Sequence, residues 1–194
     1  MTTAEKLNLI EPRIKDKEFL AKIRGGYTVS FYIFDYAPQD EGMVREHILN
    51  LQEKINKENG DIQIKIVDLY ELLLECLKEK GLLEKALRAE EAKGTGKLIE
   101  AIKNTLGLKK ETNMYINKIA ESVEPDDVIF ITGVGKAYPI VRTHKVLSNL
   151  RPLIKRNPVV VMYPGTYINN EFSLFGEIDK DYYQAFKLIL EGDD

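Results

Sequence analysis

The chain has 194 residues, of which 44% are hydrophobic and 30% are charged, which excludes a disordered protein and is enough for a hydrophobic core. The formal net charge of −3 excludes a strong overall attraction to nucleic acid or to an anionic membrane, but not a local basic patch. No apolar run approaches the roughly 20 residues of a membrane-spanning helix, no signal-peptide pattern opens the sequence, and a single cysteine excludes an intramolecular disulfide. We therefore expect a cytoplasmic protein without membrane contact, folded as one α/β domain over residues 1–194.

The first third of the chain alternates between helical and strand patterns. Residues 3–24 have a helical pattern that is interrupted near Pro12 and ended by two glycines. An apolar first strand through Val29, Phe31, Ile33 and Phe34 exits into a polar segment. Four apolar residues of the next helix share the spacing of one buried stripe: Val44, Ile48, Leu51 and Ile55. The alternating segment 62–67 predicts a second strand near an edge of the sheet.

The middle of the chain predicts a helical insertion between the second and third strands, at about residues 69–123. After a first helix from residue 69, its helices are expected at about residues 82–91, 96–106 and 112–123. The third and fourth strands, at 127–132 and 159–163, are continuous β-branched runs, typical of strands that are buried on both faces. A helix after Tyr138 connects these two strands.

The order of these elements predicts the fold class. A short edge strand at 172–175 and a closing helix at 182–190 complete the pattern. Strands that alternate with helices predict an α/β fold with a mostly parallel central sheet of four to five strands flanked by helices, Rossmann-like or P-loop-like but without a Walker A loop. The carboxyl ends of such strands form a cleft, which is expected to gather Asp35, Tyr36, Asp68, Gly133, Gly135, Tyr163 and Gly165.

Two segments resemble parts of nucleotide-binding loops, but neither is complete. Gly96 and Lys97 resemble the end of a phosphate-binding loop, whereas Glu91 and Leu98 stand where that pattern needs glycine and serine or threonine. The exit of the first strand carries three carboxylates and no glycine-rich turn, so it would repel a phosphate unless a metal intervened. The sequence therefore predicts no cofactor.

The exit of the third strand carries the glycines and basic residues that most deserve a functional interpretation. Gly133 and Gly135 indicate either a strand-to-helix turn with positive φ or a pocket, and Tyr138 stands where a dinucleotide fingerprint needs its third glycine. Arg142 and His144 can bind an anion or transfer a proton, or they can make local contacts only. Without a recognisable nucleophile, and with two scattered histidines, the sequence predicts no catalytic residue, no metal site and no enzyme.

Two sets of residues are candidates for binding larger partners. Aromatic residues and arginine, the types that dominate protein interfaces, occur at the carboxyl edge, and the protein-binding set is Gly133, Gly135, Tyr138, Arg142, His144, Tyr163, Tyr167 and Tyr182. The alternative is a basic stretch that binds nucleic acid, formed by Arg142, Lys145, Arg151, Lys155 and Arg156. A nucleotide or small-ligand enzyme that uses the cleft is a third, weaker alternative.

Several motifs in the second half of the chain resemble, in the same order, the signature of the BrxB family. They are IFITGVG at 129–135, YP at 138–139, Arg142, His144, Leu147, NL at 149–150, PVVVMYPGTY at 158–167, LFG at 174–176 and YYQAF at 182–186. The resemblance is strongest over about residues 127–190, and the length and the amino-terminal layout also agree.

The resemblance implies a role in bacteriophage exclusion (BREX), together with other components of that defence system. It implies as partners the alkaline-phosphatase-like protein PglZ first, and the large ATPase BrxC second. The family has no established catalytic residues that could be assigned to this chain. We therefore expect a non-catalytic assembly or adaptor protein, with a nucleic-acid-binding defence subunit as the alternative.

Overall fold

The computed structural model describes residues 1–24, 31–58, 60–125, 127–154, 156–175, 177–179 and 184–190. The predictions for Val29, Lys155 and Tyr182 lie outside these residues. The described helices are α1 (Thr3–Asn8), α2 (Ile10–Lys15), α3 (Lys17–Arg24), α4 (Glu41–Lys57), α5 (Leu69–Glu79), α6 (Leu83–Lys93), α7 (Thr95–Thr105), α8 (Met114–Glu121), α9 (Val134–Ala137) and α10 (Thr143–Leu150). The described strands are β1 (Phe31–Asp35), β2 (Gln63–Asp68), β3 (Asp127–Thr132), β4 (Val159–Tyr163), β5 (Thr166–Ile168), β6 (Glu171–Leu174), β7 (Glu177–Asp179) and β8 (Phe186–Lys187).

Five parallel strands form the central sheet, in the order β2-β3-β4-β1-β8. The chain runs from β1 to the edge strand β2 and then returns through β3 and β4. Because crossovers between parallel strands are right-handed, this reversal of direction places α4 on one face and the helices after β2 on the other. The predicted α/β class with a mostly parallel sheet is confirmed.

The sheet is buried on both faces, as the continuous apolar strands predict. In β3, Val128 and Phe130 pack with the buried residues of α1, α2 and α4, whereas Ile129 and Ile131 pack with those of α5, α8 and α10. All four side chains are at most 1% exposed. A hydrophobic core therefore packs against each face of the sheet and fixes the position of its carboxyl edge.

The predictions for the first long helix, α4, and for the insertion are confirmed, whereas the predicted interruption near Pro12 is wrong: Pro12 lies within α2, and the helical segments end at Asn8 and Lys15 instead. The buried residues of α4 are the four of the predicted stripe, and α5 to α8 fill the insertion. β2 lies at the edge of the sheet, as its alternation indicates. Side chains cover part of this edge: the Asn56 amide oxygen accepts from the Ile64 N–H at 2.7 Å, and the Asn56 and Gln52 amides donate to the Ile64 carbonyl at 3.0 Å.

Two predictions near the carboxyl end are wrong. Residues 171–174 do form a strand, but it is the middle strand of a separate antiparallel sheet in the order β5-β6-β7, not an edge strand. Within 184–190, the expected helix is absent and β8 pairs with β1 instead. Ala185, Leu188 and Ile189 are buried with the spacing of a helical face, so the pattern alone was ambiguous. Backbone pairing, including Leu188 N–H to the Ile33 carbonyl at 2.9 Å, gives the free side of β1 its partner.

Candidate functional site

The turn after β3 is filled by a side chain of the chain itself. Gly133 has φ of 69°, as expected for a strand-to-helix turn, and a Cβ on this residue would lie 2.2 Å from Oδ1 of Asp68. The Asp68 carboxylate caps α5 by accepting from the N–H groups of Tyr70 at 2.9 Å and Glu71 at 3.1 Å. It also pairs with Lys136 at 2.8 Å. Gly133 therefore makes room for a structural carboxylate.

The antiparallel sheet β5-β6-β7 occupies the space of the predicted cleft. A Cβ on Gly165 would lie 2.2 Å from the Ser173 carbonyl oxygen, so only glycine allows β6 to approach so closely. The ring of Phe172 lies between those of Tyr163 and Tyr167, with centroid distances of 4.9 and 4.8 Å. The three rings are at most 3% exposed. Tyr163 is therefore covered by this sheet and does not lie open in the predicted cleft.

Asp35, at the end of β1, connects four elements of the fold. Its carboxylate pairs with Lys6 of α1 at 3.1 Å and with Lys187 of β8 at 2.9 Å, and it accepts from the Tyr167 N–H of β5 at 3.3 Å. Burial alone would raise the pKa of this carboxyl, but the hydrogen bond from Lys187 and the charge of Lys6 outweigh burial and hold the pKa below its ordinary value. Asp35 is thus committed to structural contacts.

Tyr167 connects the carboxyl-terminal segment to the antiparallel sheet β5-β6-β7, which we call the covering sheet. Its hydroxyl oxygen lies 2.9 Å from the Ala185 nitrogen, from which it accepts, and 3.0 Å from the Ala185 carbonyl oxygen. Both residues are buried. The Tyr167 hydroxyl therefore gives the buried Ala185 N–H an acceptor next to β8, while its own proton has two acceptors at 3.0 Å, the Ala185 carbonyl and Oδ1 of Asn170.

We expect the substitution Tyr167→Phe to lower the free energy of unfolding by about 1–3 kcal/mol, because it keeps the ring but leaves the buried Ala185 N–H without its acceptor. Urea denaturation measures this loss. The matched control is Tyr138→Phe, which removes a hydroxyl that contacts Glu177 at the surface. Equal stability of the Tyr167→Phe variant and the wild type would show that this hydroxyl does not fasten the segment.

A group of surface side chains borders the covering sheet, and we call it the aromatic rim: Gly135, Tyr138, Arg142, Phe175 and Glu177. Phe175 is 59% exposed, and its ring packs edge-on to Tyr138 with centroids 6.2 Å apart. A Cβ on Gly135 would lie 3.3 Å from the Phe175 ring, so the absence of a side chain at this position lets the ring pack close to the backbone. The Tyr138 hydroxyl contacts the Glu177 carboxylate, and exposed Arg142 lines a cavity of about 120 Å³ with both of them.

The structure divides the predicted protein-binding residues into two groups. Gly135, Tyr138 and Arg142 lie in the aromatic rim, where a partner can reach them. Gly133, His144, Tyr163 and Tyr167 are buried, and of these Tyr163 lines the cavity beside the rim. Phe175 and Glu177 were not among the predicted site residues. The LFG motif was the signal for Phe175, but sequence patterns reveal neither its exposure nor its backbone φ of 52°.

The four described basic residues of the nucleic-acid alternative, Arg142, Lys145, Arg151 and Arg156, do not share one face. Arg142 precedes α10 and Arg151 follows it, and nine residues at about 100° each place them on opposite sides of the helix. Arg156 lies just before β4, at the amino edge of the sheet. Arg142 and Lys145 instead line a second cavity with two lysines of the insertion, Lys103 and Lys109. Nucleic-acid binding stays a prediction.

The acidic residues after β1 are engaged by neighbouring side chains. Asp40 accepts from the Thr3 hydroxyl at 2.6 Å, and Glu41 accepts from the Tyr36 hydroxyl at 2.5 Å. Within the described ranges, no three acidic, histidine or cysteine residues are grouped so that they could hold a metal ion, and no helix there is long and apolar enough to cross a membrane. The predicted absence of catalysis stays a prediction.

Comparison with known proteins gives the family. The model of the family described as "BREX protein BrxB" matches residues 65–188. A BREX protein BrxB of Bacillus cereus (strain H3081.97) is 42% identical over 186 residues, which cover 95% of this chain and 96% of that protein. A BREX protein BrxB of Escherichia coli O9:H4 (strain HS) is 31% identical over 185 residues, 95% of this chain and 90% of that protein. No solved structure matches the chain.

Proposed function

Since the chain belongs to the BrxB family and is thus a component of a BREX system, we propose that it is a non-catalytic adaptor that assembles this system in the cytoplasm. Its direct partner is the alkaline-phosphatase-like protein PglZ, with the ATPase BrxC as the second candidate. The exposed ring of Phe175 in the aromatic rim is the observation that carries this proposal. The single cysteine, Cys76, is a buried free thiol, which suits a reducing compartment.

The aromatic rim has the composition of a protein-binding surface, and its side chains contact one another. Phe175 exposes 59% of its surface although it is a large apolar side chain, and Tyr138 and Arg142 beside it are of the types enriched at interface hot spots. Tyr138, Arg142 and Glu177 of the rim line a cavity together with Tyr163 and Phe172, whose rings are in tilted contact. A partner would therefore meet side chains that are already ordered, which lowers the entropy cost of binding.

The engagement of the polar groups below the rim supports the non-catalytic part of the proposal. The Asp35 carboxylate is held by two lysines and one backbone N–H group, and the Asp68 carboxylate by one lysine and two backbone N–H groups. A general acid or base needs a carboxyl or imidazole within reach of a substrate. At this edge, the described carboxylates serve the fold instead.

We expect the substitution Phe175→Asn to reduce capture of PglZ about tenfold, equivalent to about 1.4 kcal/mol of binding energy, and to abolish phage defence. Asparagine tolerates the positive φ of this position, so the fold is retained. The measurement is affinity capture of the tagged protein from cells that carry the whole defence cluster, followed by plaque counts. Tyr138→Ala is expected to act in the same direction, since it removes the other ring of the pair.

The matched control for this experiment is Leu153→Asn, which removes an apolar side chain that is 48% exposed outside the rim. It is expected to leave capture and defence unchanged. Undiminished capture of PglZ by both rim variants would contradict the proposal.

A further inference from the structure

A second surface cavity of about 200 Å³ lies between the end of α7, the start of α8 and α10. Its walls are apolar and are formed by Leu108, Tyr115, Ile116, Ile140, Val141 and Val146. The Tyr115 hydroxyl donates to the Leu69 carbonyl at 2.6 Å in the interior, so this ring contributes carbon atoms to the wall. The cavity has room for an apolar group of about the size of one side chain.

The polar residues at the mouth of the cavity hold it in shape. The Asn113 amide oxygen caps α8 by accepting from the Ile116 N–H at 3.1 Å. The amide groups of Asn113 and Asn149 both donate to the Lys110 carbonyl, at 2.9 and 3.2 Å. These bonds tie the loop before α8 to α10. The cavity is therefore formed before any occupant enters, which favours binding.

Four cationic side chains surround the apolar walls: Lys103, Lys109, Arg142 and Lys145. The acidic residue in this lining is Glu100, which lies 3.8 Å from Lys103 and 3.2 Å from Lys109. Since the side chains of Glu100 and Lys109 are 56% and 66% exposed, this pair is weak and can exchange for another carboxylate. The mouth of the cavity thus carries more positive than negative charge, although the chain as a whole has a net charge of −3.

The combination of apolar walls and a cationic mouth restricts the chemical class of molecule that can occupy the cavity. A nucleic acid would use the cations but not the apolar walls, and Tyr115, the aromatic member of the lining, is 1% exposed and offers no face for base stacking. A purely apolar segment would bring carbon atoms against these cations and offer no opposite charge. A peptide with one apolar anchor and flanking carboxylates satisfies both features.

We propose that this cavity is a binding site for an acidic segment of a partner protein, which inserts one apolar side chain between α8 and α10 and places carboxylates against the four cations. The site goes beyond the proposed function, because it lies outside the aromatic rim apart from the shared residue Arg142 and does not require PglZ. It gives the adaptor a second contact, for a segment of defined chemistry.

The test is a selection from a random peptide library on the whole purified protein. Enriched peptides are expected to carry one apolar residue with acidic residues close on both sides. Their affinity, measured by fluorescence anisotropy, is expected to fall at least tenfold in the double variant Lys109→Glu/Lys145→Glu and in Leu108→Trp, which fills the cavity. It is also expected to fall with rising salt, because exposed charges are screened.

Two controls separate this site from the aromatic rim and from general charge effects. Lys85→Glu reverses an exposed charge on α6, and Phe175→Asn alters the rim; both are expected to leave peptide affinity unchanged. The proposal would be overturned if the selected peptides had no acidic consensus, or if the double variant bound them as tightly as the wild type does. The proposal would also be overturned if no peptide consensus emerged while phenylbutyrate or a DNA duplex bound tightly. Self-association of the protein that the double variant abolishes would overturn it as well.

Discussion

The substitution Asp35→Ala is expected to lower the free energy of unfolding by about 2–4 kcal/mol, which for a chain of this size is a fall in Tm of roughly 6–12 °C. Removing one partner of a buried ion pair costs about 3–5 kcal/mol. The cost is lower here because the side chains of Lys6 and Lys187 are 20% and 37% exposed and can reach water. The loss also includes the acceptor of the buried Tyr167 N–H.

The contribution of Asp35 is expected to depend on pH in a defined direction. Because the pKa of Asp35 is lower in the folded chain than its ordinary value of about 3.9, its charge stabilises the fold fully above that value. The stabilisation is lost as the pH falls through the lower, folded pKa. The difference in unfolding free energy between the wild type and Asp35→Asn should therefore be constant near neutral pH and shrink in acid.

Differential scanning fluorimetry across a pH series measures both effects of Asp35. The matched control is Glu53→Gln, which breaks an ion pair with Lys57 whose side chains are 65% and 73% exposed, and it should leave the Tm unchanged. If Asp35→Ala and Glu53→Gln gave the same Tm at pH 7, the connecting role of Asp35 would be wrong.

The second large effect is expected for Gly133→Ala, which should destabilise the fold by about 2–4 kcal/mol. A residue with a Cβ pays about 1–2 kcal/mol for the left-handed conformation at φ of 69°. The added atom would also lie 2.2 Å from Oδ1 of Asp68 and displace the carboxylate that caps α5. Loss of such a cap costs about 1 kcal/mol more.

Gly96→Ala is the matched control for Gly133→Ala. Gly96 lies in α7, and a Cβ there would have nothing within 4 Å, so alanine should be neutral or stabilising at this position. Guanidinium denaturation compares the two variants. A Gly133→Ala variant as stable as the wild type would show that Asp68 can move aside without loss.

The sequence predicts the strands β1 to β4 and the long helix α4 well, because the pattern within each of these segments is enough to identify it. Residues 127–132 and 159–163 are apolar at nearly every position, which suits only strands covered on both faces. The stripe of α4 follows from its own spacing. The closing segment was mispredicted because pairing with β1, a contact far away in sequence, outweighed a helical pattern of a few residues.

The candidate site was predicted only in part, for two physical reasons. A glycine that lets the chain approach itself, as Gly133 and Gly165 do, has the same sequence signal as one that lets a ligand approach. The second cavity is lined by residues of both the insertion and α10, which are far apart in the sequence. The spacing of Lys103, Lys109, Arg142 and Lys145 therefore could not show that they belong to one group. Only the three-dimensional structure reveals such a grouping.

Titration of the purified protein with purified PglZ in a calorimeter tests the central claim, that the aromatic rim binds another defence component. We expect saturable binding that Phe175→Asn and Tyr138→Ala weaken at least tenfold and that Leu153→Asn leaves unchanged. Circular dichroism of every variant confirms that each is folded. Binding of equal affinity by the wild type and the rim variants, or no binding between the folded wild-type proteins, would contradict the claim.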